Sequence, residues 1–288
     1  MVTKIERLGV VGGGQMGGGI AEVSARAGID VIVCEVSTEA ARVGRARLWK
    51  SLNRGVEKGK LTEAERDEAQ SRLHFTTTVT DLDDRDMVIE AIAEDEGLKL
   101  KLFAELDKVV SDPEAILASN TSSIPIAKLA GATKRPERVI GVHFFNPVPV
   151  LNLVELVPSL LTAEDTVARA TAFAGDQLGK ETIRAKDRSG FIVNALLVPY
   201  LLSAIRMLEG GFATAEDIDK GMVLGCAHPM GPLRLSDLVG LDTLKAIADS
   251  LYAEYAEPTY AAPPLLQRML DAGLKGKKTG KGFYTYGS

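Results

Sequence analysis

Cysteine is scarce in this chain. Cys34 and Cys226 are the only two in 288 residues, and no CxxC pair occurs. That excludes a disulfide framework and a cysteine-based metal centre, and no metal is expected. Both thiols are expected to behave as small buried hydrophobes. Histidine is limited to His74, His143 and His228. A basic excess is lacking too: the net charge is −5 and the pI about 5.4. This argues against a nucleic-acid partner, whose binders carry a basic footprint. No apolar run is long enough for a membrane. The longest, "FIVNALLVPYLLSAI" from Phe191 to Ile205, falls short of the ~20 residues a span needs and holds Asn194 and Pro199. It reads as a core helix. The first residues lack the pattern of a secretory signal, because a short apolar run leads straight into glycines. A cytoplasmic globular protein is expected, with one large domain or two moderate ones.

What is present alternates. "RLGVVG" (7–12), "DVIVCE" (30–35), "DMVIEAIA" (86–93), "AILAS" (115–119) and "RVIGVHFF" (138–145) read as strands. Their continuous apolar character suits a parallel sheet covered on both faces. Helical patterns between them predict a doubly wound, Rossmann-like α/β domain over residues 1–185. One crossover is too long. Residues 37–76 carry two helical patterns, the second opened by a capping box at Thr62 and Glu65, so a helical hairpin is inserted there. Beyond about Arg184 only helical patterns remain, predicting an all-α C-terminal domain over 186–288.

"GVVGGGQMGGGI" contains Gly12-x-Gly14-x-x-Gly17 between a strand and a helix. Gly12 permits the tight turn, Gly14 the approach of a pyrophosphate, and Gly17 the close packing of helix on strand. Gln15 and Met16, between the glycines, are included in the cofactor site. The helix N-terminus offers N–H groups to that anion. Glu35 ends the second strand, where an acid bonds the adenosine ribose hydroxyls. A carboxylate there repels a 2′-phosphate, which favours NAD over NADP; Arg42 keeps NADP open. On the inserted hairpin Arg47, Lys50 and Arg54 share one helix face, with Lys58 a turn further. A solvated surface explains such a stripe, and so does an anionic ligand such as a phosphorylated substrate or coenzyme A.

"GVHFFNPVPVLNLVELV" sets His143 near the carboxyl end of a strand, where open α/β sheets bind ligands. Glu155 lies in the apolar "NLVELV", and a buried carboxylate needs a partner. Pro147 and Pro149 break the strand and let the chain return. Glu155 on one ring nitrogen of His143 leaves the other a general base for an alcohol. "ASNTSS" (118–123) supplies Ser119 to Ser123; one of these is expected to cap the helix that begins near Pro125, and another to meet a substrate oxygen. Asn194, a polar intrusion in an apolar helix, is a second candidate for that contact.

With these residues together the chain resembles the L-3-hydroxyacyl-CoA dehydrogenase family, its stand-alone bacterial 3-hydroxybutyryl-CoA members in particular. The motifs are "GVVGGGQMGGGIA", "VIEAIAED", "ASNTSSIPI", "GVHFFNPVPVLNLVELV", "DRSGFIVNALLVPYLLSAIRMLE", "HPMGPLRLSDLVGLDT" and "GKKTGKGFYTY", spanning nearly the whole chain. The resemblance implies His143 as base, Glu155 as its partner, and Ser122 and Asn194 at the substrate. It implies NAD contacts at Glu35, Glu94, Lys99, Ser122, Asn146 and Lys278. It implies an acyl-CoA held through Lys50 and Arg54, and a homodimer through the C-terminal helical domain. A non-catalytic nucleotide-binding protein and an NADP-linked dehydrogenase, of the same substrate or of a free hydroxy acid, are the alternatives.

Overall fold

Apolar runs of four to six residues, closed by glycine or by a helix cap, build the first unit, Met1–Asp187. The computed structural model describes residues 3–287; residues 1, 2 and 288, the outermost positions of the two expected domains, lie outside them. The chain order is β1 (Arg7–Val11), α1 (Gln15–Arg26), β2 (Asp30–Cys34), α2 (Thr38–Glu57), α3 (Glu63–Ser71), β3 (Leu73–Thr76), β4 (Met87–Glu90) and α4 (Glu96–Val109). Then come β5 (Ile116–Ser119), α5 (Ile126–Gly131), β6 (Val139–Phe144), β7 (Leu153–Pro158), α6 (Glu164–Ala172) and β8 (Glu181–Arg184). The strands form one sheet in the order β3-β2-β1-β4-β5-β6-β7-β8. Pairing is parallel from β3 to β6, antiparallel between β6 and β7, and parallel again between β7 and β8. This is the expected doubly wound, Rossmann-like architecture. Its switch point lies between β1 and β4, so ligands are received beyond the carboxyl ends of those strands.

Two sequence readings need correction. The sheet is not wholly parallel, and three strands escaped the pattern. β3 ("LHFT") and β8 ("ETIR") are edge strands with exposed positions, too short and too polar to read. β7 ("LVELVP") reads as an apolar return interrupted by a charge, yet it is a strand with four buried central residues.

The inserted hairpin is α2 and α3. Ser37 caps α2, and Thr62 and Glu65 form the reciprocal capping box on α3. Leu48 and Leu52 seat α2 on the core, which runs through Val10, Ile20, Val33, Ile89 and Val142. Arg47, Lys50 and Arg54 stay outside it.

The second unit, Arg188–Ser288, is helical: α7 (Val193–Glu209), α8 (Ala215–Gly225), α9 (Pro232–Val239), α10 (Leu241–Tyr255) and α11 (Pro264–Asp271). Leu201, Leu202, Ile205, Leu244 and Leu251 form its core. Asp237, at the end of α9, accepts from the N–H groups of Phe283 and Tyr284 and so staples the C-terminal segment. Among the described residues no helix is long and apolar enough to cross a membrane.

Candidate active site

The glycine turn links β1 to α1. Gly12 has φ +96°, and a Cβ there would lie 2.7 Å from Ala91 O. At Gly17 a Cβ would fall 1.8 Å from Gly12 O, so only glycine lets α1 sit this close to the turn. Around Gly14 there is open space, and no side chain caps the first turn of α1. A helix start of this kind receives a phosphate. Glu35 Oε1 accepts from Gly13 N at 2.6 Å, which sets the carboxylate at the rim of the turn. Arg42 is bound to Glu39, with its Nη2 2.7 Å from Glu39 Oε1. These residues fit an NAD adenosine and pyrophosphate. Gln15 Nε2 donates to Asn146 Oδ1 at 3.0 Å, joining the helix start to the loop after β6. The Met16 side chain packs against the core.

His143 and Glu155 are register partners across the β6–β7 ladder. Their side chains lie on the same face of the sheet. Nδ1 of His143 lies 2.7 Å from Glu155 Oε2, with Glu155 fully buried and His143 4% exposed. Nε2 lies 3.0 Å from Ser122 Oγ. With the carboxylate accepting from Nδ1–H, the neutral ring presents Nε2 as an acceptor, and the Ser122 hydroxyl donates to it. His74 is on the edge strand β3, 3.2 Å from Asp30, and His228 packs on Tyr200 in the second unit.

Ser122 belongs to a polar segment held by carboxylates. Glu94 Oε1 accepts from Ser122 N (3.0 Å), Ser123 Oγ (3.0 Å) and the Thr121 hydroxyl. Asn120 Oδ1 accepts from Phe144 N at 2.9 Å, tying the segment to β6 beside His143. None of Ser119 to Ser123 caps the following helix, contrary to expectation. Asp187 does so, accepting from Ile126 N and Ala127 N, because its two oxygens reach both orphan amides at once. Lys99 is 1% exposed and pairs at 2.7 Å with Glu94, which keeps 39% of its side chain exposed, so Glu94 and not the Lys99 ammonium is at the surface. Burial works to raise the Glu94 carboxyl, but the Lys99 ammonium and the Thr121 and Ser122 donors outweigh it and hold it below its ordinary value.

Sequence reasoning missed Glu90, the last residue of β4. It is fully buried, 2.9 Å from Lys99 Nζ, and burial pushes its carboxyl above the ordinary value against the pull of Lys99. Its signal was in plain sight: a carboxylate closing the apolar "MVIE" needs a cation, and Lys99 follows in the next helix.

Arg47, Lys50 and Arg54 line a cleft of about 450 Å³ with Gln15, Ser51 and Asn146. The stripe therefore borders the turn, and Arg47 Nη1 donates to Gly13 O at 3.1 Å. Asn194 and Lys278 belong to the second unit. Asn194 is buried in the first turn of α7, and Lys278 is ion-paired with Asp242.

A serine–imidazole–carboxylate chain also serves acyl transfer. Here Ser122 N donates to Glu94 and Ser123 N to Thr121 Oγ1, so the amides beside the hydroxyl are committed and do not form an oxyanion hole. What the arrangement offers is a base with a hydroxyl partner next to a dinucleotide turn.

Two family models match the chain. "3-Hydroxyacyl-CoA dehydrogenase, NAD binding domain" covers residues 7–188, and "3-hydroxyacyl-CoA dehydrogenase, C-terminal domain" covers 190–286. A Mycobacterium tuberculosis 3-hydroxybutyryl-CoA dehydrogenase is 64% identical, over 99% of this chain and 100% of the relative. The human mitochondrial hydroxyacyl-coenzyme A dehydrogenase is 42% identical, over 98% and 91%. Among solved structures, (S)-3-hydroxybutyryl-CoA dehydrogenase PaaH1 from Ralstonia eutropha superposes with a TM-score of 0.93 at 45% identity, covering 99% of this chain and all of that one.

Proposed function

The chain belongs to the 3-hydroxyacyl-CoA dehydrogenase family, and from that premise we propose that it reversibly oxidises (3S)-3-hydroxybutyryl-CoA to the 3-ketoacyl-CoA with NAD. The observation that carries the mechanism is the chain of bonds from Ser122 through His143 to Glu155. His143 Nε2 takes the proton of the 3-hydroxyl as C3 is oxidised. Glu155 fixes the tautomer and stabilises the imidazolium as it forms. Ser122 turns its hydroxyl from Nε2 to the substrate oxygen. In the reductive direction His143 returns the proton. NAD, bound at the glycine turn, supplies the hydride acceptor that no side chain provides. Gly12, Gly14, Gln15, Met16 and Gly17 would hold its pyrophosphate and Glu35 its adenosine ribose, and Glu94, Ser122 and Asn146 would make the further NAD contacts that the resemblance gives them. Lys99 acts behind Glu94. Lys50 and Arg54 hold the phosphates of coenzyme A. Asn194 and Lys278 keep the substrate and cofactor roles that the resemblance gives them.

The test is acetoacetyl-CoA reduction by NADH. His143→Asn is expected to lose roughly 10²–10⁴-fold in kcat. A folded variant with near-wild-type kcat would sink the assignment. Glu155→Gln is expected to lose kcat more than NADH affinity, and the opposite pattern would remove its role as orienter.

A homodimer through the second unit is part of this reading. It is supported by Leu196, Phe212 and Leu224, which are 72 to 83% exposed there. So is a cytoplasmic location, which suits diffusible nucleotide and acyl-CoA ligands.

A further inference from the structure

At the end of β4, two strands from β6 and its His143, lies a second buried set of charges. Glu90 has no exposed surface and Lys99 almost none. Lys99 Nζ lies 2.9 Å from Glu90 Oε1 and 2.7 Å from Glu94 Oε2, so one ammonium joins two carboxylates that would otherwise repel. Glu90 also accepts from Ser119 Oγ (2.6 Å) and from Ile92 N (2.7 Å). Buried ion clusters are no more stabilising than well-packed apolar side chains of the same volume. Stability alone is therefore a poor reason for this one.

What the cluster holds supplies a better reason. Glu90 grips the 119–123 segment at its start through Ser119, whose Oγ in turn accepts from Thr121 N at 3.1 Å. Glu94 grips its end through Thr121, Ser122 and Ser123. Within this segment Ser122 Oγ lies 3.0 Å from His143 Nε2. The segment has no helix or strand of its own beyond Ser119, so these bonds set where the Ser122 hydroxyl points.

We propose that Glu90 and Lys99 are positioning residues for the reaction: a buried ion pair that, through Glu94, keeps Ser122 Oγ on the Nε2 side of His143. The proposal rests on the reading that Ser122 and His143 handle the hydroxyl proton. Neither Glu90 nor Lys99 needs to touch the substrate. Lys99→Met frees Glu94 to turn away, and the segment loses its hold at Thr121 to Ser123, while Ser119 stays on Glu90, Asn120 on Phe144 N, and His143 on Glu155.

The experiment is a double-mutant cycle on kcat for acetoacetyl-CoA reduction, using Lys99→Met and Ser122→Ala in the full-length protein. At saturating NADH, where a weakened cofactor contact of Glu94 does not enter kcat, Lys99→Met is expected to lower kcat by roughly 10- to 100-fold in the wild-type background, but by less than about threefold where Ser122 is already alanine. A merely structural lysine would give the same loss in both backgrounds, and that additive outcome overturns the proposal. So does a folded Lys99→Met with unchanged kcat. If Lys99→Met does not fold, the charge-balanced pair Glu90→Gln with Lys99→Met carries the same cycle and the same two outcomes. The wild type is the reference: no turnover of acetoacetyl-CoA by the wild type would defeat the proposed reaction itself, and the positioning role with it.

Discussion

Glu94 is the residue on which the site's electrostatics converge, and its effect on stability has a definite sign. Its folded carboxyl titrates below the ordinary 4.5, so around that pH the folded protein binds fewer protons than the unfolded chain. The stability it contributes is present above the ordinary value and is lost as pH falls through the folded one. Glu90 works the other way. Its raised carboxyl favours the folded state at low pH, and that contribution disappears as pH rises through its folded value. Between pH 6 and pH 3 the unfolding temperature of Glu94→Gln is therefore expected to fall less steeply than that of the wild type. Equal slopes in thermal scans would remove Glu94 as the source. Cys34 shows the bland side of the same physics: burial pushes its thiol up to about 11, which leaves it unreactive at neutral pH. At this scale the sequence was legible where a polar residue interrupts an apolar run, as at His143 and Glu155. It was silent on which donors each carboxylate collects, because Glu94 finds its partners some 27 residues away in Thr121 and its neighbours.

Elements were legible in proportion to their burial and length. The glycine turn, the capping box and the inserted hairpin each carry their own local signal. Edge strands do not, because half their positions face water and their partners are remote in sequence. β7 is the instructive case. Its charged residue argues against a buried strand until the histidine opposite is known. The hairpin shows the converse, for its basic face was legible but its neighbour was not. Arg47 reaches the glycine turn, while Lys50 and Arg54 face the cleft beside Asn146. Replacing Lys50 and Arg54 together by alanine is expected to raise KM for acetoacetyl-CoA roughly five- to twentyfold, with kcat nearly unchanged. The same variant is expected to show wild-type KM for an acetoacetyl-pantetheine thioester that lacks the nucleotide. An equal rise for both substrates would place the nucleotide elsewhere.

For the whole molecule, the change from strands to helices alone was readable from periodicity, but which surface of the helical unit is left apolar and exposed was not. Exposed apolar side chains cannot be recognised before burial is known. Leu196 and Phe212 are obvious in the structure and ordinary in the sequence. If they line a homodimer contact, Leu196→Glu with Phe212→Glu is expected to convert the protein to monomer in analytical ultracentrifugation. A double variant that sediments like the wild type would move the interface away from these residues.

His143 and Glu155 face each other because of strand register, not because of the loop between them. A one-residue slip of β7 would carry Glu155 to the opposite face, so the ladder admits only one solution. The loop from Phe145 to Asn152 is released from that duty and serves others. Asn146 meets Gln15, Pro147 and Pro149 wall the cleft, and Lys180 pins Val148 O and Leu151 O from behind. The register that pairs His143 with Glu155 and the contacts that wall the cleft are thus separate inheritances of one hairpin. Substitutions in the loop can reshape the cleft beside Gln15 while the His143–Glu155 pairing stays the same.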